Sequence, residues 1–254
     1  MANMVSVPDR TVVLTFDDSV RSHLTNVAPL LRAHGFGATF FVTHAWMEDT
    51  ANYLNWTHVA ELDHMGFEIG NHTWSHTMFS TPDSARGLPE ELARVEHELA
   101  KVGVECPVSF CWPGNQFGPE ALAVLRDVGY KFARRGPWPD IPSGAIGGMG
   151  PLYDPHRHDP LLIPSSGLAT PELTPDDFRI IVDRAKEGKI VVFQFHGVPD
   201  DRHPFCSMPL VRFREFMDYL SENDYCVIAL RDVDRYIDPS SVTDDPIARE
   251  RVVP

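Results

Sequence analysis

The stretch Phe67-Glu68-Ile69-Gly70-Asn71-His72-Thr73-Trp74-Ser75-His76 decides how the rest of the chain is read. A short apolar run, Phe67 to Ile69, is followed at once by two imidazoles four residues apart. Histidines at that spacing can share one face of a helical turn and bind a single ion. A third protein ligand is at hand in Thr15-Phe16-Asp17-Asp18, an acidic pair at the end of the apolar run Val12 to Leu14. One carboxylate can ligate while its neighbour handles a proton. Each feature alone has a plainer explanation, since carboxylates cap helices and a chain with 12 histidines forms such pairs by chance. Both explanations weaken when the two features occur together, each at the end of an apolar run.

The chain has 254 residues, room for one large α/β domain with a full core, and no linker-like stretch divides it. We read a single domain over 1–254, with a core over about 10–235 and a polar tail from 238 that is expected to fray. Hydrophobic content of 43% and charged content of 23% are those of a soluble globular protein, and a net charge of -14 argues against nucleic acid or anionic membrane as partner. No apolar run approaches the roughly 18 residues of a membrane span, and the start of the chain lacks a basic and apolar leader. Cys106, Cys111, Cys206 and Cys226 show no CxxC spacing, so reduced thiols and a cytoplasmic location are expected. A homo-oligomer is the default assembly for such a chain.

Working outward, Thr11 to Phe16 reads as a buried parallel strand, and Ser19 to His34 as a helix stopped by Gly35. Strands follow at Ala38 to Val42 and Phe67 to Ile69, separated by a helix from Thr57 to Met65 with Thr57 as cap. Pro89 to Val102 is an amphipathic helix with apolar Leu92, Val95 and Leu99. Pro107 to Cys111 is a strand that runs into Trp112-Pro113-Gly114-Asn115, then a helix from Pro119 to Val128 and a strand from Tyr130 to Ala133. Between Arg134 and about Thr174 the periodicity fails under repeated prolines, Pro142 among them, although Leu161-Leu162-Ile163 suggests one more strand. Helix from Thr174 to Glu187, strand from Lys189 to Phe195, helix from Pro209 to Leu220 and strand from Tyr225 to Leu230 complete the alternation. Asp17 and Asp18, His72 and His76, Trp112 to Asn115, and His196 all lie just after a strand. In a β/α barrel those positions converge on one face.

The ordered set Thr15-Phe16-Asp17-Asp18, Asn71-His72-Thr73-Trp74-Ser75-His76, a Pro-Gly loop after a strand, and Phe193-Gln194-Phe195-His196 resembles the polysaccharide deacetylase family of carbohydrate esterases. The resemblance implies a distorted (β/α)7 barrel and one divalent metal, zinc first, with cobalt or nickel as alternatives. It also implies Asp18, His72 and His76 as metal ligands, Asp17 as general base and His196 as general acid. Such a site hydrolyses an amide by activating water, taking its proton and protonating the departing nitrogen. A backbone N–H after the fourth strand would help hold the oxyanion. Trp112, Pro113, Gly114, Asn115 and Tyr153 are the candidate substrate-binding residues. Two polar clusters, Tyr153 to Asp159 and Gly197 to Phe205, are candidates for pocket walls.

Two departures stand out. Cys111 occupies the place of an arginine that pairs with the base in the family, leaving Arg134, Arg135 or Arg157 to supply the charge. The family's carboxylate behind the acid histidine has no recognisable counterpart, with Asp154, Glu172, Asp176 and Asp177 as candidates. The expected activity is removal of N-acetyl, less readily O-acetyl, groups from a small or oligomeric saccharide. The alternatives are hydrolysis of a cyclic imide or allantoin-type amide, and a catalytically inactive carbohydrate-binding barrel.

Overall fold

Thr11–Phe16 (β1) is fully buried on both faces and bonds in parallel to three other strands. The computed structural model describes residues 5–140, 149–240 and 244–253. Within the proline-punctuated stretch, 141–148, with Pro142, lies outside the described residues. Beyond β1 the strands are Thr39–Val42 (β2), Glu68–Asn71 (β3), Ser109–Cys111 (β4), Phe132–Arg135 (β5), Ile163–Pro164 (β6), Gly167–Leu168 (β7), Val191–Phe195 (β8) and Cys226–Ile228 (β9). Pairing is parallel throughout, in the order β6-β5-β4-β3-β2-β1-β8-β7, with β9 on β1.

The sheet curls into a barrel that the expected extra strand closes. Ser165 N–H donates to Arg135 O and Ser166 N–H to Val192 O, so the run from Ile163 to Leu168 bonds first to β5 and then to β8. Counting that run once, seven strands ring the barrel, as the resemblance implied. β9 wedges between the start of β1 and Gly37, whose amide donates to Val227 O. A Cβ on Gly37 would meet Ala229 N at 2.7 Å, so the wedge requires glycine.

Helices Ala28–His34 (α1), Trp56–His64 (α2), Pro82–Ala85 (α3), Leu88–Lys101 (α4), Pro119–Val128 (α5), Pro175–Val182 (α6) and Leu210–Glu222 (α7) cover the outside. Alternation along each strand then sorts side chains. Val12, Leu14 and Phe16 face the helices, whereas Val13 joins Phe41, Cys111, Phe132, Ile163 and Val192 in the barrel interior. The inward rows therefore read Val13-Thr15-Asp17, Glu68-Gly70-His72, Phe132-Arg134 and Val192-Gln194-His196, apolar or structural at one end and chemical at the other.

Several expectations are corrected. α2 is capped by Asn55, whose side chain accepts His58 N–H, and not by Thr57. The fifth strand begins two residues later than the apolar pattern suggested and so takes in Arg134 and Arg135. The helix expected from Ser19 starts only at His23, with a π turn before α1, because Asp18 (φ 75°) and Ser19 (φ 56°) are left-handed. Asp17 and Asp18 therefore do not cap it. The tail does not fray over its described residues: Ile247 and Val252 are buried against α5, and Val252 pairs with Phe117. Buried Asp245 anchors it by accepting Asp159 N–H at 3.0 Å.

Candidate active site

The C-terminal ends of β1, β3, β4, β5 and β8 open into a cleft of about 430 Å³ lined by Asp17, Asp18, His72, His76, Gln194 and His196. Asp18 Oδ1 lies 3.3 Å from His72 Nε2 and 3.5 Å from His76 Nε2. Tetrahedral metal bonds of about 2.0–2.2 Å place neighbouring donor atoms roughly 3.4 Å apart. Asp18 Oδ1 is buried and has no hydrogen-bond partner among the described residues, so its lone pairs are free for a cation. His72 Nδ1 sits 2.8 Å from Cys111 O, which fixes the ring with Nδ1–H donating and turns the Nε2 lone pair toward Asp18. The donor set fits one divalent ion.

Strained backbone, rather than a helical turn, brings these groups together. Thr73 (φ 65°) and His76 (φ 56°) are left-handed, like Asp18. A non-glycine residue there costs on the order of 1–3 kcal/mol and persists only when its surroundings enforce it. Asn71 enforces it by accepting Thr73 N–H at 2.9 Å while donating to Tyr130 Oη at 2.8 Å.

Burial by itself would raise the Asp18 carboxyl, but the close imidazoles of His72, His196 and His76 outweigh it and hold Asp18 well below the usual carboxylate range. Burial likewise disfavours a charged His72, yet its contacts with Cys111 and Asp18 raise it above the ordinary histidine value. Burial and the neighbouring His72 push His76 down to about 4.

Asp17 is held differently. Its Oδ2 accepts from Arg134 Nη2 and, at 3.2 Å, from Gln194 Nε2, while its Oδ1 is buried with no partner among the described residues. One oxygen is pinned and the other is left without a hydrogen bond. The arginine missing at Cys111 is supplied by Arg134, which comes across from β5, fully buried, and also touches Cys111 Sγ. A small thiol leaves the room that the guanidinium fills. Arg135 instead pairs with Asp140 at 2.6 Å, and Arg157 is exposed. His196 Nε2 lies 3.7 Å from Asp18 Oδ2 and 4.0 Å from Asp17 Oδ2.

No carboxylate stands behind His196, whose Nδ1 is buried without a partner among the described residues. Asp154 binds His156 N–H, Asp176 pairs with Arg179 and Asp177 caps α6, so none of these three replaces the family's carboxylate, and Glu172 has no bond to His196. Gly114 and Asn115 line the cleft, whereas Pro113 is buried in the adjoining turn. Trp112 reaches the cleft wall, but its side chain is fully buried, with Nε1–H donated to Leu161 O at 3.0 Å, so it chiefly fills the barrel. Its amide donates to Arg134 O in the ladder and is not available as the expected oxyanion donor.

Tyr153 is corrected: it bonds through its backbone to Ile190, before β8, at the end of the barrel opposite His196. The Tyr153 to Asp159 cluster stays there, while the other expected wall, through His203 and Phe205, does line the cleft. Of the tryptophans, Trp46 and Trp138 line it as well, and Trp56 and Trp74 stack around His44 instead. Sequence reading passed over Gln194 as a functional residue. The signal was a lone amide in the apolar strand Val191–Phe195, two residues before His196 on the same inward row.

Residues 5–133 match the family model described as polysaccharide deacetylase. The chain belongs to that family. A chitin deacetylase from Pestalotiopsis sp is 31% identical over 125 residues, 49% of this chain and 41% of that protein. The chain thus spans less than half the length of that curated relative. Among solved structures of the fold, a peptidoglycan N-acetylglucosamine deacetylase superposes with TM-score 0.61 at 17% identity, over 89% of this chain and 90% of that one. A family 4 acetyl xylan esterase from Clostridium thermocellum, in complex with a cobalt ion, gives TM-score 0.55 at 20% identity, over 88% and 89%. The first two motifs of the sequence analysis fall inside the matched residues, and His196 and Gln194 lie beyond them.

Proposed function

We propose that the chain is a metal-dependent amide hydrolase that removes an acetyl group from an N-acetylated saccharide. The observation that carries the reading is the Asp18, His72 and His76 donor triangle beside an Asp17 oxygen left without a hydrogen bond. Asp18 Oδ1, His72 Nε2 and His76 Nε2 would hold one divalent ion, zinc first, which when bound supplies Lewis acidity to a carbonyl and lowers the pKa of water toward neutrality. Asp17 Oδ1 takes the proton of the attacking water, while Arg134 and Gln194 fix the other oxygen and so the direction of the open one. His196 delivers a proton to the departing nitrogen, without which the tetrahedral intermediate returns to substrate. The mostly apolar walls, Trp46, Trp138 and Leu168 among them, exclude water and strengthen these charges. A cytoplasmic location goes with a short, diffusible oligosaccharide.

Two observations favour a second reading. The bare Nδ1 of His196 and the arginine moved from Cys111's place to Arg134 are departures from the saccharide-acting pattern, and a cyclic amide is the alternative substrate. Acetate release from an N-acetylglucosamine oligomer and ring opening of a cyclic imide, measured side by side on metal-reconstituted wild type and Asp17→Asn, separate the two. Acetate release lost in the variant supports the deacetylase; ring opening without acetate moves the chain to cyclic amides.

A further inference from the structure

The outer wall of the cleft holds a carboxylate–imidazole hydrogen bond that the hydrolytic steps leave unused. Asp200 is 1% exposed by its side chain, and its Oδ2 lies 3.2 Å from His203 Nδ1. Its Oδ1 accepts Arg202 N–H at 2.9 Å and His203 N–H at 3.0 Å, while its own N–H donates to Ser207 Oγ at 2.8 Å. Every polar atom of Asp200 that could turn the carboxylate is therefore engaged. The His203 ring is clamped on its other side by Trp46, edge on at 5.6 Å, and Trp46 in turn packs 4.9 Å from the ring of His76. His203 is thus one aromatic ring away from the metal donors, on the wall of the same cleft.

The chemistry of the exposed nitrogen follows from that clamp. With Nδ1–H donated to the carboxylate, a neutral imidazole presents Nε2 as an acceptor, and Nε2 makes no hydrogen bond among the described residues. The side chain remains 26% exposed, so the nitrogen is reachable from the cleft. A turn that only needed closing would be closed by Asp200 and the two backbone amides without the ring.

We propose that His203, oriented by Asp200, is a substrate-binding residue that accepts a hydrogen bond from a hydroxyl or N–H group flanking the scissile amide. The ligand class it selects is polyhydroxylated, because a substrate without a donor at that place leaves the oriented nitrogen unpaired. Asp200 is the positioning residue behind it. The proposal rests on the saccharide reading for its substrate, but its test does not depend on turnover.

The test is calorimetric binding of an N-acetylglucosamine dimer and its monodeoxy analogues to the metal-loaded Asp17→Asn protein, with and without His203→Ala. Removing one acceptor is expected to weaken binding of the dimer about tenfold. One monodeoxy analogue should bind both proteins equally weakly. In the otherwise native enzyme, His203→Ala should raise KM by the same factor and leave kcat within about twofold, the signature of lost uniform binding. His203→Gln, whose amide oxygen accepts, should recover part of the loss, and Asp200→Asn should lose part of it. Equal affinities of the two proteins for the dimer, or no binding to either, overturn the proposal. Acetate release by the wild type judges the saccharide reading separately: His203-dependent binding without acetate release would leave the hydrogen bond standing and remove the reading.

Discussion

Two buried carboxylate sites share the interior of this barrel, and they are built on opposite rules. At the base, Glu68 Oε2 accepts from Thr39 Oγ1 at 2.6 Å and Arg231 N–H at 2.8 Å, while Oε1 accepts from Ser109 Oγ at 2.6 Å. At the top of the same interior, Asp17 and Asp18 each keep one buried oxygen without a partner among the described residues. Glu68 and His72 even lie on one inward row of β3. Satisfying a buried polar group stabilises a fold, whereas leaving one open costs stability and keeps a site available for a ligand. Three left-handed non-glycine residues, Asp18, Thr73 and His76, sit within the upper site itself.

The comparison is sharpest in Asp17→Asn. The amide keeps the shape but loses the open base, and kcat/KM is expected to fall roughly 10²- to 10⁴-fold with the fold intact, read by steady-state kinetics and thermal melting. An unchanged rate would make the open oxygen irrelevant. Arg134→Met should act on both function and stability. It strips the buried partner from Asp17 and should destabilise the protein by about 3–5 kcal/mol in denaturant unfolding. Adding Cys111→Arg to that variant returns a guanidinium from the β4 side and should recover part of the loss.

A third prediction concerns His23, fully buried under His196 with its Nε2 3.0 Å from His196 O. Burial pushes its pKa down to about 4 from the ordinary 6.5, chiefly against the pull of that backbone contact and of Asp17. The unfolded chain takes up this proton near pH 6.5 and the folded one only near 4, so between those values the unfolded state binds more protons and stability falls as pH falls. The loss attributable to His23 is on the order of 3 kcal/mol across that window. His23→Gln should flatten the stability profile there by a comparable amount, and an unaltered profile would refute the assignment. The smallest effect belongs to the base: Glu68→Gln should cost about 1–3 kcal/mol of stability, by turning an amide donor toward existing donors, while changing kcat/KM less than twofold.

What the sequence revealed divides along the same line. Asp17, Asp18, His72, His76 and His196 were legible because the motifs that carry them follow apolar runs, and strand ends in a parallel barrel converge on one face. The parallel barrel was legible from the alternation and its seven-strand ring from the resemblance, with Ile163 of the apolar Leu161-Leu162-Ile163 opening the closing strand. Local patterns could not show where long side chains reach. Arg134 looked like the start of a loop because two charges ended the apolar pattern, yet backbone pairing with Ile163 carries it into β5 and its side chain across to Asp17. Tyr153 looked like a pocket residue because it sits among polar neighbours, and pairing with Ile190 puts it at the wrong end. The tail looked frayed because Ile247 and Val252 are isolated apolar residues, whose burial depends on a surface built by distant α5.

The central claim is that the upper site is left open for one divalent ion held by Asp18, His72 and His76. Its most direct test is metal stoichiometry and affinity by calorimetry with zinc on the metal-stripped wild type, Asp18→Asn and Glu68→Gln. The account predicts one tight equivalent for the wild type and for Glu68→Gln, and a loss of at least about tenfold in affinity for Asp18→Asn. Tight binding retained in Asp18→Asn, or none in the wild type, would contradict it.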